Sequence, residues 1–513
     1  MAVIWQQFLA SFQFDSFFPL LAEVGVILTL MTALAAWNYI KENKFWYYAL
    51  TLLYLLSALV AILTTDWFFF LFAWELVTLA TTFMLAWSDW KLVRQYFVIQ
   101  FSGSSILLFG ALAANAFGYS QIGVINSVPL QFILILGIGM KSGLFLFHFW
   151  LPPIHSEAPA PVSAILSGWV VKLGYIFLLK IIPMETGNTF LFLLGLAMIV
   201  YAGWQALRSA DLKIMLAYST VSQLGFIALA IGTGGKYAFY GAVLHIIAHG
   251  FAKTTLFISS GIWQKEYGTR IIYDFKDAAA RRPITALATI LSFASLGAVV
   301  FTAGYNSKYL IKSAQTPGLL ATLVFFLLGL LSFLYAARVV YWLFIKDQDY
   351  SSFFADLKQG FNHYHIYTAD ILALFTGIIG IIVVGFWPEM PGNVLGTLAE
   401  KDFHLISGLR DTLIYFALAA YLFINNNAFK IEARANLSLE NYLQVFLNFV
   451  YGLSRKSVKF DTEKIFETFF YNAIFNASKK IHDFVYQDFT LQLLWIPVFM
   501  TVLLFWQQLY SYF

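Results

Sequence analysis

The stretch Leu136–Pro153, LGIGMKSGLFLFHFWLPP, decides how the rest of the chain is read. It is a long apolar run that carries one lysine, Lys141, then Gly143, and closes on Pro152 and Pro153. A charge buried in lipid costs several kcal/mol, so an ionisable residue in such a run is a functional candidate by default. The glycine and the proline pair mark a helix that breaks partway. The rest of the sequence repeats the pattern. The 513 residues are 60% hydrophobic and 11% charged, with a mean hydropathy of +0.74. Soluble proteins are roughly 45–50% apolar and about 25% charged, so a soluble single domain is excluded. Disorder is excluded too, since it needs low hydrophobicity and high charge. At about 20 apolar residues per crossing, the apolar positions fill on the order of 14 helices.

Fourteen apolar runs serve as candidate spans: 18–40, 44–63, 66–87, 93–116, 130–150, 160–183, 188–207, 213–232, 236–262, 284–303, 318–343, 368–387, 408–424 and 490–510. They are too long and too continuously apolar for the alternating strands of a β-barrel. The expected fold is an all-α polytopic membrane protein of about 14 transmembrane helices. Placing the N-terminus outside leaves 22 of the 31 Lys and Arg on the inner side and six on the outer, with Lys141, Lys172 and Lys253 inside spans. That asymmetry is what the positive-inside rule demands. The start, MAVIWQQFLASFQFDSFF, has no basic region ahead of a cleavage site, so no cleaved signal peptide is expected. Residues 425–489 interleave Lys, Arg, Asp and Glu with aromatics, as in FETFFYNAIFNASKKIHDFVY. They read as an amphipathic helix along the inner surface, or as a small cytoplasmic linker.

Cysteine is absent, which excludes disulfides, thiolate-held iron–sulfur clusters and a cysteine nucleophile in this chain. GIGMKSG around Lys141 lacks the spacing of a phosphate-binding loop. No cofactor, metal site or nucleic-acid partner is expected.

The charges inside spans form a series. Glu75 lies in LFAWELVTLATTFML, Lys141 in the opening stretch, and Lys172 in SGWVVKLGYIFLL. His245, His249 and Lys253 lie in GAVLHIIAHGFAKTTLFISSG, and Lys308 in FTAGYNSKYLIKSA. Spacing of four puts His245, His249 and Lys253 on one helix face. Three titratable groups one turn apart can pass a proton along; the bland alternative is hydrogen-bonded packing. Glu75 is the one acid deep in a span, and Lys141 is its natural partner, as a movable pair or a static one. A second break is expected near Gly304, just before Lys308. Broken helices at matching places in two halves mark inverted-repeat transporters. The division is then an N-terminal helix at 1–43, five-helix repeats at 44–183 and 188–343, further spans in 344–424, the amphipathic segment 425–489 and an anchor at 490–513.

Taken together, WELVTL, KSGLFLFHFWLPPIHSEAPAPVSAILSG, DLKIMLAYSTVSQLGF and HIIAHGFAKTTLFISSG resemble the antiporter-like family. That family comprises the proton-pumping membrane subunits of respiratory complex I, their relatives in membrane-bound hydrogenases, and the large subunits of Mrp-type Na+/H+ antiporters. The resemblance covers roughly residues 18–390. It implies that Glu75 and Lys141 form a modulating pair, Lys172 a middle link, His245, His249 and Lys253 a central axis, and Lys308 the terminal lysine, with Lys312 a weaker addition. Two features depart from the family. Glu75 falls on the third span rather than the fifth, which puts the surface of the missing helices in doubt. The tail, with KFDTEKIFETFF, resembles both the lateral helix of the distal complex I subunit and the tails of Mrp-type and hydrogenase subunits.

The implied function is proton translocation, or Na+/H+ exchange, by one subunit of a larger complex in a prokaryotic energy-transducing membrane. Other membrane subunits would supply the energy, since the chain shows no redox or nucleotide site. Alternatives are membership of an Mrp-type antiporter driven only by ion gradients, a cation-coupled role in an inorganic-carbon uptake complex, and a scaffold that transports nothing.

Overall fold

The computed structural model describes residues 11–12, 17–87, 90–315, 318–346, 368–387 and 405–425. These residues are helical, with two isolated β-bridges, Phe12 to Thr64 and Asp211 to Ile271. In chain order the helices are α1 (Phe18–Tyr39), α2 (Lys44–Leu63), α3 (Trp67–Met84), α4 (Trp90–Ala116), α5 (Val128–Ser142), α6 (Leu151–Glu157), α7 (Ala160–Ile181) and α8 (Thr189–Arg208). There follow α9 (Leu212–Thr233), α10 (Lys236–Tyr267), α11 (Pro283–Leu296), α12 (Ala303–Ser313), α13 (Leu319–Phe344), α14 (Thr368–Phe386) and α15 (Leu405–Asn425). Ten helices among the described residues are long and apolar enough to cross a membrane. At 1.5 Å per residue, the 22 residues of α1 span about 33 Å, close to the hydrocarbon thickness of a bilayer.

Local chemistry sets the helix ends. Asp66 caps α3 by accepting from the Phe68 and Phe69 amides at 2.8 and 3.1 Å. Asp211 caps α9 the same way, from Lys213 and Ile214, and Asn188 caps α8 through the Leu191 amide. Each cap satisfies amides that the first turn leaves without intrahelical partners. Helix α10 ends on Gly268, in the left-handed region.

Burial sorts the helices into two classes. Helices α7, α9 and α10 are buried almost all round, while α2 and α13 bury well under half of their spanning window. Helix α10 is the axis: α1, α7, α9, α11, α12 and α14 all pack on it. Helices α8 and α9 approach closely at Gly195 and Gly225, where a Cβ on either would collide with the other helix's backbone. Small residues let helix backbones meet without a solvent-driven core.

Two of the apolar runs are not continuous helices. The run 130–150 stops at Ser142, with Gly143 left-handed at φ +67° and Leu146 at φ +74°; after a short 3-10 turn, α6 begins at Leu151. The second break does not fall at Gly304. It lies at Gly297–Thr302, where Ala298 (φ +58°) and Phe301 (φ +68°) turn the chain. Gly304 sits inside α12 and serves a close approach to the Ser295 carbonyl. The run 408–424 is helix α15, while 425–489 and 490–510 lie outside the described residues, apart from Asn425.

Candidate functional site

Lys141 occupies the last turn of α5 and is buried. Its Nζ stands 3.5 Å from Glu75 Oε1 on α3. It donates to Thr78 Oγ1 at 2.9 Å and to Ser104 Oγ on α4, and lies 5.4 Å from the Trp74 ring centre. Glu75 and Thr78 share a face of α3 because they are three residues apart. Three helices thus build one polar box around one ammonium. Thr78 and Ser104 thus give the Lys141 ammonium two hydroxyl partners besides the Glu75 carboxylate.

Lys172 follows a π turn, Leu166–Val170, in α7. The extra residue of that turn frees a carbonyl, and Lys172 Nζ donates to it at Ser167. π turns recur at functional sites. Ser167 Oγ meets Thr220 Oγ1 on α9 at 2.7 Å.

On α10, Lys253 Nζ donates to the Leu216 carbonyl at 2.9 Å and to Ser219 Oγ at 2.6 Å. The His245 and His249 rings stack with centroids 6.0 Å apart. His245 Nδ1 meets Ser307 Oγ on α12 at 2.8 Å. The next residue, Lys308, donates to the Leu296 carbonyl at 2.8 Å and lies 4.4 Å over the Phe226 ring. That carbonyl closes α11, and it is available because the helix stops there. Among the described residues, Lys172, Lys253 and Lys308 have no carboxylate within ion-pair distance; carbonyls, hydroxyls and an aromatic face stand in for one.

The structure therefore brings Glu75 to Lys141, and the α10 cluster to Lys308 through Ser307. Helices α7, which carries Lys172, and α10, which carries His249 and Lys253, pack side by side. Lys312 belongs elsewhere: it pairs with Asp411 on α15 at 3.4 Å.

Four buried groups lie outside the charge series expected from the sequence. His155 in α6 is fully buried, stacked on Phe257 at 4.9 Å, and within electrostatic reach of Lys253, Lys213 and Lys172. Lys213 is buried and donates to the Ala158 carbonyl at 2.8 Å. Beside it, Asp211 meets Arg270 at 2.8 Å, and Arg270 reaches Glu157 at 3.4 Å. Burial lifts the Asp211 carboxyl above its ordinary range, with Arg270 opposing. Lys180, which the charge count placed on the outer surface, is buried and donates to the Thr64 carbonyl at 2.7 Å. Arg338, counted with the inner-side residues, lies fully buried within α13. Asp211 and Lys213 open a stretch more polar than a plain linker needs, which composition alone reads as capping, and Lys180 stands eight residues after Lys172 on α7.

Residues 64–334 match the family described as NADH:quinone oxidoreductase/Mrp antiporter, TM, and the chain belongs to that family. It is 28% identical over 403 residues to an Na(+)/H(+) antiporter protein of Alkalihalophilus pseudofirmus, covering 68% of this chain and 48% of that protein. It is 26% identical to F(420)H(2) dehydrogenase subunit N of Methanosarcina mazei, covering 71% and 80%. It is 31% identical to NAD(P)H-quinone oxidoreductase chain 4 1 of Synechococcus elongatus, covering 54% and 56%. The chain thus spans about half the length of the first and third of these relatives. Two solved structures share the fold. The Mrp complex from Dietzia sp. aligns with TM-score 0.65 at 21% identity, over 90% of this chain and 55% of that one. The membrane-bound sulfane sulfur reductase, an archaeal respiratory membrane complex, aligns with TM-score 0.65 at 20% identity, over 94% and 87%.

Proposed function

We propose that this chain is a proton-translocating, antiporter-like subunit of a multisubunit membrane complex. The carrying observation is the polar box in which Lys141 lies 3.5 Å from Glu75 and is also held by Thr78 and Ser104. A proton leaves or joins Lys141 as Glu75 withdraws or returns, because the carboxylate stabilises the ammonium over the amine. The step continues through Lys172, then Lys253, His249 and His245, and reaches Lys308 beside Ser307. Lys and His exchange protons directly, and this makes protons the cargo that best suits the set. Family membership and the relatives' names support the reading.

In this reading, residues 44–183 and 188–343 are inverted five-helix repeats, the N-terminus lies outside, and the helix ends carrying Lys41, Arg270 and Arg282 face the cytoplasm. Residues 425–489 and 490–513 form a surface helix and an anchor. Protons gain access from the cytoplasm by Lys213 and His155. Neighbouring membrane subunits supply the energy. In support, Glu75 keeps 22% of its side chain exposed at mid-helix, where a carboxylate facing lipid would be costly and a packed neighbour removes the cost. The test is proton uptake by vesicles containing the intact complex with Lys141→Ala. Uptake should fall at least tenfold; pumping at the wild-type rate would refute the role given to Lys141.

A further inference from the structure

Helix α13 carries a buried polar stripe that the pathway above does not use. Ser332, Tyr335 and Arg338 are each at most 1% exposed, and their spacing of three keeps them on one side of the helix. The stripe begins at the centre of the bundle. Gln223 Nε2 on α9 donates to the Tyr335 hydroxyl and approaches Ser332 Oγ at 3.4 Å, and Phe226, three residues on from Gln223, lies 5.8 Å from the His245 ring. It ends at the loops joining α8 to α9 and α10 to α11. There Arg338 Nη1 donates to the Ser209 carbonyl at 2.7 Å, Nη2 donates to the Tyr273 hydroxyl, and the guanidinium lies 5.7 Å from the Tyr273 ring centre. These are the same loops that hold Asp211 and Arg270.

A ladder of amide and hydroxyl groups thus runs from His245 toward the end of the bundle where Lys213 and His155 stand. Hydroxyl groups can relay protons between waters that bridge them, and an amide can hold such a water in place. The two lines differ in their last member. Lysine and histidine release protons, whereas arginine stays protonated in proteins. A fixed guanidinium can neither accept nor hand on a proton, and its charge repels an approaching cation.

We infer that Arg338 is the electrostatic seal of this second line: it closes the α13 ladder to ions and leaves Lys213 and His155 as the open route at that end. The inference rests on the reading of the buried line as a proton path and adds the element that prevents a short circuit. Arg338 is a selectivity residue in this role, acting through the field it sets at the mouth of the ladder.

The experiment uses the intact complex in vesicles, with a potassium diffusion potential and no driving reaction, and follows interior pH with a trapped dye. Arg338→Gln is expected to raise passive proton influx on the order of tenfold, and adding Tyr335→Phe should return it to the wild-type level. An Arg338→Gln complex as tight as wild type, or a leak that persists in the double variant, overturns the inference; the second result would mean loosened packing. If Arg338→Gln does not assemble, Arg338→Met removes the charge while keeping the length of the stem and should leak as much; a tight methionine variant overturns the inference as well. Driven transport by the wild-type complex is scored separately. Its absence would sink the proton-path reading, whereas driven transport with a tight Arg338→Gln complex sinks only the seal.

Discussion

The two broken helices hold their lysines in opposite ways. At the first, Lys141 sits before the break, beside a carboxylate and two hydroxyls contributed by α3 and α4. At the second, Lys308 sits after the break, on a freed carbonyl and an aromatic face. The first arrangement has a charged partner 22% exposed at the edge of the chain. The second is closed in by Leu296, Phe226 and Ser307, with no movable charge among the described residues. An ion pair with an exposed member can be altered from outside the chain. A lysine on fixed dipoles responds only to a proton arriving from within. Under the proposed function, that difference would put control at the first site and relay at the second.

The most damaging change should be Glu75→Gln, which leaves Lys141 its hydroxyls but removes the switch. Driven proton uptake is expected to drop tenfold or more with the assembled complex intact, and near-normal uptake would erase the contrast between the sites. Next in size is the coupling between the pair. A double-mutant cycle on Glu75→Gln and Lys141→Met, read by thermal unfolding in detergent, should give about 1–3 kcal/mol. Coupling near zero would show that the two side chains do not stabilise each other. At the second site, Phe226→Leu removes the face under Lys308 while keeping an apolar volume. A loss of about 0.5–2 kcal/mol is expected, and no loss would leave the Leu296 carbonyl as the sole support. The smallest effect concerns the breaks. Leu146 holds φ +74° and is 38% exposed, so Leu146→Gly relieves a left-handed residue at little cost in burial. Stability should rise by about 0.5–1 kcal/mol, the left-handed penalty of about 1–2 less the entropy cost of glycine; a fall would mean that the leucine side chain itself braces the break.

Much of this was legible before any coordinates. The apolar runs, the lysine at Gly143 and the spacing of His245, His249 and Lys253 are local, and local features follow from helix periodicity and turn chemistry. The second break was misplaced because a glycine reads as a breaker, whereas Gly304 serves a close contact and the turn is made at Ala298 and Phe301, residue types that carry no such signal. Arg338 and Lys180 were taken for surface charges because each stands near a span's end, where a basic residue is normally solvated. Only the packing of neighbouring helices and loops over them shows otherwise.

Hydropathy and charge spacing alone required a many-helix membrane protein with a short series of charges held inside it, since lipid admits few other solutions for such a composition. They could not say which charges meet. Glu75 and Lys141 are far apart in sequence, as are His245 and Ser307, and His155 and Lys213. Those pairs exist because helices cross at particular depths and rotations, and both are set by long-range packing around α10. Periodicity assigns a residue to a face of its own helix; the partner opposite that face is chosen by the fold.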